Sequence, residues 1–164
     1  MPLTKVTDSD IESVSNQLGR PARDILAIAA RCVCGNPVVV QTAPRLEDGT
    51  PFPTVYYLTL PAATAAVSTL EATGLMMELQ SRLSAEPELA SAYQDAHDSY
   101  LEDRLLLGEV EEINGISAGG MPTRVKCLHS LVAQSLAKGK GVNPIGDIAL
   151  EQCSWSPNRC VCEK

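Results

Sequence analysis

Aromatic side chains are scarce in this sequence: one Trp, one Phe and four Tyr among 164 residues. A core here cannot lean on rings and must be filled by Leu, Val, Ile and Ala. Histidine is scarcer still, with two residues, so candidates for a general base or an imidazole ligand are few. Positive charge is short, 13 Lys and Arg against 20 Asp and Glu, for a formal net charge of −7. That balance excludes sequence-independent nucleic-acid binding, which needs cations to displace counterions, and docking on an anionic membrane. No stretch approaches the ~18 consecutive apolar residues of a membrane span. The opening MPLTKVTDSDIESVSNQLGR is acidic and polar and lacks the basic-then-apolar pattern of an export signal, so the cytoplasm is the expected location. In that compartment the six cysteines are expected as thiols, thiolates or metal ligands rather than disulfides.

What is present is ordinary for a globular chain: 45% apolar and 20% charged residues. The length suits one domain, expected over 1–164, with 1–7 and 152–164 as looser tails. Thr7 or Asp8 caps a first helix whose apolar face is Ile11, Val14 and Leu18, ended by Gly19. Asp24 to Cys32 alternates apolar and small residues and reads as a strand, with helix as the alternative. Val38 to Thr42 and Thr54 to Thr59 are further strands, separated by the turn signals Cys34-Gly35-Asn36-Pro37 and Asp48-Gly49. Tyr56 and Tyr57 must face opposite sides of the sheet.

After Pro61 the period becomes helical: Ala62 to Thr73, Leu75 to Ala85, and a longer helix from Pro87 to near Gly108. The stripe of that longer helix is Leu89, Ala92, Tyr93, Ala96 and Tyr100. A loop over 109–120 contains the acidic run Glu109 to Glu112, read as solvated. A helix starting at Pro122 is then predicted from Val125, Leu128, Val132 and Leu136, and a short one from Asn143-Pro144 to about Glu151. The expected class is α+β: a small three-stranded antiparallel sheet near the N-terminus, packed by a mainly helical C-terminal half.

Several stretches carry a resemblance: RCVCGNPVVVQTAPRLEDGTPFPTVYYLT, GGMPTRVKCLH and GKGVNPIGD, with GRP at 19–21 and the YxxAHxxY pattern from Tyr93 to Tyr100. In this order, over about residues 8–150, they resemble the uncharacterised actinobacterial domain of unknown function 501 family. The resemblance implies a cytosolic protein whose relatives are often encoded beside a septum-formation protein and an exopolyphosphatase. It implies no activity, and it gives Cys153 no place.

Three constellations carry chemistry. The first is a metal site for zinc or an iron–sulfur cluster, drawn from Cys32, Cys34, Cys127, His129, Cys160 and Cys162. C-x-C is not the usual C-x₂-C knuckle. Inside one helix, Cys127 and His129 would also stand about 200° apart and could not share an ion. The bland alternative makes Cys32 and Cys127 small buried hydrophobes. The second is an anionic small-molecule site in which Gly119-Gly120 leads into a helix start bearing Arg124 and Lys126. Asn143 after Gly139-Lys140-Gly141 is a further contact, and the alternative is that these glycines only shape turns. Neither stretch matches a phosphate loop or a dinucleotide fingerprint. The third is nucleophilic catalysis by Cys127 or Cys32 with His129 or His97 as base. His97, among Tyr93, Tyr100 and Leu101 at helical spacing, is read as a packing residue.

Together these place the expected pocket where GGMPTRVKCLH meets the end of the Asp24–Cys32 strand. The competing class is a non-catalytic interaction protein linked to cell division or polyphosphate metabolism, an idea that rests on the gene neighbourhood alone.

Overall fold

The structure is a computed structural model and describes residues 3–162. Helix α1 (Asp8–Leu18) starts on a capping box. Thr7 Oγ1 accepts from Asp10 N at 3.1 Å, and Asp10 Oδ2 accepts from Thr7 N at 3.0 Å, so two orphan donors are satisfied reciprocally. Gly19, at φ 70°, supplies the left-handed cap at the other end. Asp10 does a second job: Arg31 forks onto its carboxylate at 2.7 and 2.9 Å, fastening the helix start to the first strand.

Strands β1 (Ile25–Arg31), β2 (Pro37–Thr42) and β3 (Tyr56–Leu58) form the predicted antiparallel sheet, in the order β1-β2-β3. β2 is central, and all of its residues are buried because both faces are covered. Ile28 and Val40 pack with Val14 of α1 on one face. Ala29, Val39 and Leu58 join the main core on the other. Pairing of β1 with β2 slips at several points, so β1 does not alternate strictly, which is why its sequence reads ambiguously. Tyr56 enters the main core, while Tyr57 faces the opposite side beside Phe52, with ring centroids 6.3 Å apart.

Helices α2 (Pro61–Glu71), α3 (Leu75–Ala85), α4 (Pro87–Leu105), α5 (Leu128–Lys138) and α6 (Pro144–Gln152) build the rest. α5 is the axis: Leu131 to Ala137 are all buried, and the helix packs on the sheet, α2 and α6. α6 approaches it so closely that a Cβ on Gly146 would overlap the Leu131 carbonyl oxygen and the Ser135 hydroxyl. That is the packing reason for glycine in the segment GVNPIGD.

Several polar groups in this core are paired, although Trp155 Nε1 is buried without a partner. Gln134 donates to Ala96 O at 2.9 Å, and Asn143 donates to Gln134 Oε1 at 2.8 Å. Tyr100 Oη accepts from the backbone N–H groups of Val55 at 2.7 Å and Tyr56 at 3.3 Å, joining α4 to the start of β3. Arg104, buried, reaches the carbonyls of Pro53 at 3.0 Å and Ile113 at 2.6 Å.

One predicted element is corrected. The helix expected from Pro122 begins at Leu128. Val125 and Leu128 are three apart and both buried, which mimics a helical stripe. Yet the backbone before Leu128 is bonded elsewhere. Gly120 O accepts from Arg124 N and Gly119 O from Lys126 N, both at 2.8 Å, while Val125 N donates to Gln80 Oε1 at 2.9 Å. Beyond α6 the chain folds back: Trp155 is 5% exposed, and Cys153, Cys160 and Cys162 pack against the main core.

Candidate metal centres

The six cysteines are free thiols, and four of them converge. Cys32 follows β1 directly. Its N–H donates to Asn36 O and its carbonyl accepts from Gly35 N, both at 2.8 Å, closing a tight turn into β2. Gly35 stands at φ 97°, a conformation that favours glycine. Cys34 sits at the tip of this turn, exposed, while Cys32 is buried beneath it. Cys160 and Cys162 arrive from the returning C-terminal segment. The sulfurs of Cys32, Cys34, Cys160 and Cys162 all lie within 4.8 Å of one another, so this group is placed to hold a metal ion. A cavity of about 640 Å³ borders it, lined by Asn36, Pro61, Val161 and Cys162 among others.

The protonation of this group is uneven. Burial pushes Cys32 up, and burial, partly offset by Asn36, pushes Cys162 up to about 12. At Cys34 the backbone of Asn36 dominates. With help from the neighbouring thiols it outweighs a small burial penalty and brings that thiol down to about 7. Cys34 therefore ionises before Cys32 and Cys162, and its charge opposes ionisation of those two. A cation among them removes that opposition, which is how thiolate sites couple metal binding to proton release.

The other predicted ligands form a separate group. Cys127 is not inside α5 but caps it in an extended conformation, φ −147° and ψ 107°. The 200° separation expected for two residues of one helix therefore does not apply, and Cys127 meets His129. Glu71, at the end of α2, completes the set; one donor atom from each lies within 4.8 Å of the other two. Glu71 Oε1 is 3.0 Å from His129 Nδ1, and Glu71 Oε2 accepts from Leu128 N at 2.8 Å. His129 Nε2 lies 3.1 Å from both Thr64 O and Ser68 Oγ. Ser130 Oγ donates to Cys127 Sγ at 3.6 Å.

The 3.0 Å separation of ring and carboxylate is that of a hydrogen bond when the ring is protonated at Nδ1. The Cys127 sulfur, opposed by burial and aided by Glu71 and Thr64 O, lifts His129 to about 9. Burial raises Cys127, but His129 and Ser130 outweigh it and hold the thiol below its ordinary range. Sequence reasoning missed Glu71. A signal for it existed: Thr64, Ser68 and Glu71 recur at helical spacing on an otherwise Ala-rich helix, marking the face that meets His129.

The remaining predicted site residues lie as follows. Gly119 and Gly120 sit nine and eight positions before α5 and turn their carbonyls to the loop that follows. A Cβ on Gly119 would press into Leu131, and one on Gly120 into the Arg124 backbone, both at 2.7 Å. Arg124 and Lys126 are exposed. Asn143 is fully buried: its Oδ1 accepts from Gly146 N at 2.9 Å, capping α6. The larger cleft, about 720 Å³, is lined by Arg20, Arg23, Asp24, Phe52 and Tyr57 among others and by none of these residues. His97 is buried beside Ser117, Nδ1 to Oγ 2.7 Å, and burial lowers its pKa. Cys153 lies outside both groups, its sulfur 3.5 Å from Trp155 N.

The sequence profile of the family described as protein of unknown function (DUF501) matches residues 28–151. The chain belongs to that family. The DUF501 match takes in Cys32, Cys34, Glu71, Cys127 and His129 and ends before Cys160 and Cys162. No curated protein and no solved structure matches the chain significantly. Among the described residues of this DUF501 protein, no helix is long and apolar enough to cross a membrane.

Proposed function

We propose that this DUF501 protein binds one zinc ion through Cys32, Cys34, Cys160 and Cys162, and that the ion clamps the C-terminal segment onto the β1–β2 turn. The observation that carries this reading is the mutual approach of four sulfurs. A tetrahedral ion with Zn–S bonds of ~2.3 Å separates its sulfurs by roughly 3.8 Å. Cys162 Sγ lies 3.9 Å from Cys32 Sγ, and no pair in the group exceeds 4.8 Å. An iron–sulfur cluster puts its thiolates on different irons and spreads them further, so a single ion is the better fit. Four protein ligands leave no open position, which makes the centre structural rather than catalytic. Unpaired thiols fit a reducing compartment, the cytoplasm.

Zinc content separates this reading from its rivals. Tag-free protein from zinc-supplemented cells should lose one equivalent of zinc when Cys160 and Cys162 are both changed to Ser. A double variant with the zinc content of the unaltered protein would refute the clamp. Retention of iron in place of zinc, with sulfide-dependent visible absorption, would replace the single ion by a cluster.

A further inference from the structure

The second group is independent of the clamp. We infer that Glu71, Cys127 and His129 form a second site for a divalent, borderline-soft cation of the zinc class, with a coordination position left for water. The argument starts from the imidazole. Nε2 lies 3.1 Å from Thr64 O, which can only accept, and from the Ser68 hydroxyl, which can do either, so both contacts are satisfied when Nε2 carries the proton. Nδ1 is thereby left with its lone pair toward a carboxylate oxygen 3.0 Å away. Two acceptors at that distance require a positive centre between them, a proton or a metal ion. An ion bonded to both at ~2.0–2.1 Å would set them roughly 3.3 Å apart. The ring orientation is the one a ligating histidine adopts, its far N–H held by a backbone carbonyl.

The other two donors are supported in the same manner. Glu71 Oε2 is held by Leu128 N at 2.8 Å, which aims Oε1 at the shared space. Ser130 Oγ donates to Cys127 Sγ at 3.6 Å, as a thiolate ligand needs. Charge is compatible with a divalent ion: a carboxylate, a thiolate and a neutral imidazole sum to −2, which one M²⁺ cancels as the thiol proton is released. One oxygen, one nitrogen and one sulfur donor suit zinc better than the oxygen-seeking Mg²⁺ or Ca²⁺. Three protein ligands at side chains 27% and 23% exposed for His129 and Glu71 leave room for solvent as the fourth, the pattern of open rather than closed zinc sites.

The test counts ions with the full chain. Tag-free protein, stripped with chelator, reloaded with zinc and passed through a desalting column, should hold two equivalents. Cys127→Ser and Glu71→Gln should each hold one, and Glu71→Gln keeps an oxygen for Leu128 N, so its folding is the less disturbed. In the Cys160→Ser/Cys162→Ser background, cobalt should give a thiolate-to-metal absorption that Cys127→Ser abolishes. Zinc should also slow alkylation of Cys127 by iodoacetamide at least tenfold in that background. If Cys127→Ser and Glu71→Gln both keep the unaltered zinc count, or Cys127 alkylates equally fast with and without zinc, a proton bridges the group and the second site falls. The clamp is judged separately: zinc lost on Cys160→Ser/Cys162→Ser but not on Cys127→Ser would leave the clamp standing and sink this site, and the reverse pattern would do the opposite.

Discussion

The sulfur of Cys162 lies 3.9 Å from that of Cys32, across 130 positions of chain. The hairpin supplies one pair of thiols and the returning C-terminal segment the other, so an ion there closes a loop around nearly the whole core. Structural zinc sites contribute on the order of 10 kcal/mol or more to folding of small domains, and loop closure is costliest to lose when the loop is long.

Chelation is expected to free the C-terminal segment before it unfolds the core. The single tryptophan reports this directly, because Trp155 is 5% exposed and lies between α6 and the second cysteine pair. Adding a strong chelator, or changing Cys162 to Ser, should shift its emission to the red and speed proteolysis beyond α6. Emission that stays unchanged while zinc leaves would show that the ion does not hold this segment.

Acid should loosen α1 in a predictable window. Arg31 beside Asp10 holds its carboxyl at about 2, against an ordinary value of 3.8. Because the folded value is depressed, the folded state binds fewer protons between those values, so the stabilisation is complete above the unfolded value and lost as pH falls toward 2. Water screens the partly exposed Arg31, so the pair contributes about 1 kcal/mol rather than the full equivalent of the shift. Asp10→Ala also breaks the capping box and should cost about 1–2 kcal/mol at neutral pH. Urea titrations at neutral pH and at pH 3 measure both, and the variant should lose less on acidification than the unaltered chain.

Two glycines should respond very differently to the same methyl group. Gly146→Ala drives a Cβ into the Leu131 carbonyl and the Ser135 hydroxyl, with the α5–α6 backbones too close to yield. A loss of about 2–4 kcal/mol is expected. Gly74→Ala meets nothing within 4 Å and has an ordinary φ of −79°, so it should change stability by less than about 0.5 kcal/mol. Thermal unfolding of the two variants compares them, and a tolerated Gly146→Ala would contradict the close packing described.

Tyr100→Phe tests the buried bridge between α4 and the sheet. It leaves the N–H groups of Val55 and Tyr56 without their common acceptor in a site where Tyr100 is fully buried. A penalty of about 1–3 kcal/mol is expected. Tyr57→Phe, on the half-buried opposite face, should fall within about 0.5 kcal/mol, and denaturant midpoints decide between them.

The sheet and most helices could be read from local signals. Thr7, Gly19, Pro61, Pro87 and Asn143 mark boundaries through their own backbone chemistry, and the structure places caps or first turns at those positions. The segment 119–127 could not be read this way. Its apolar spacing is helical, but its hydrogen bonds go to Gln80 and to the two glycines, and such partners are set by tertiary packing. The same misreading sets Cys127 and His129 about 200° apart and so argues against their sharing an ion, although both are candidate ligands by residue type. The grouping of Cys32 and Cys34 with Cys160 and Cys162 rests on contacts between chain ends, which no local pattern encodes. Glu71 was hidden because its role depends on which face α2 turns to α5.

Synthesis runs from Cys32 toward Cys162, so Cys32 leaves the ribosome 130 residues ahead of its last partner. Until that partner arrives, the exposed Cys34 has only Cys32 of the four clustered thiols beside it. A polypeptide truncated before Cys160 would retain the sheet and α5 but not the full donor set. Zinc held among these four sulfurs would thus report a chain that extends through Cys162, whereas one stopped before Cys160 would keep only the Glu71, Cys127 and His129 group whole.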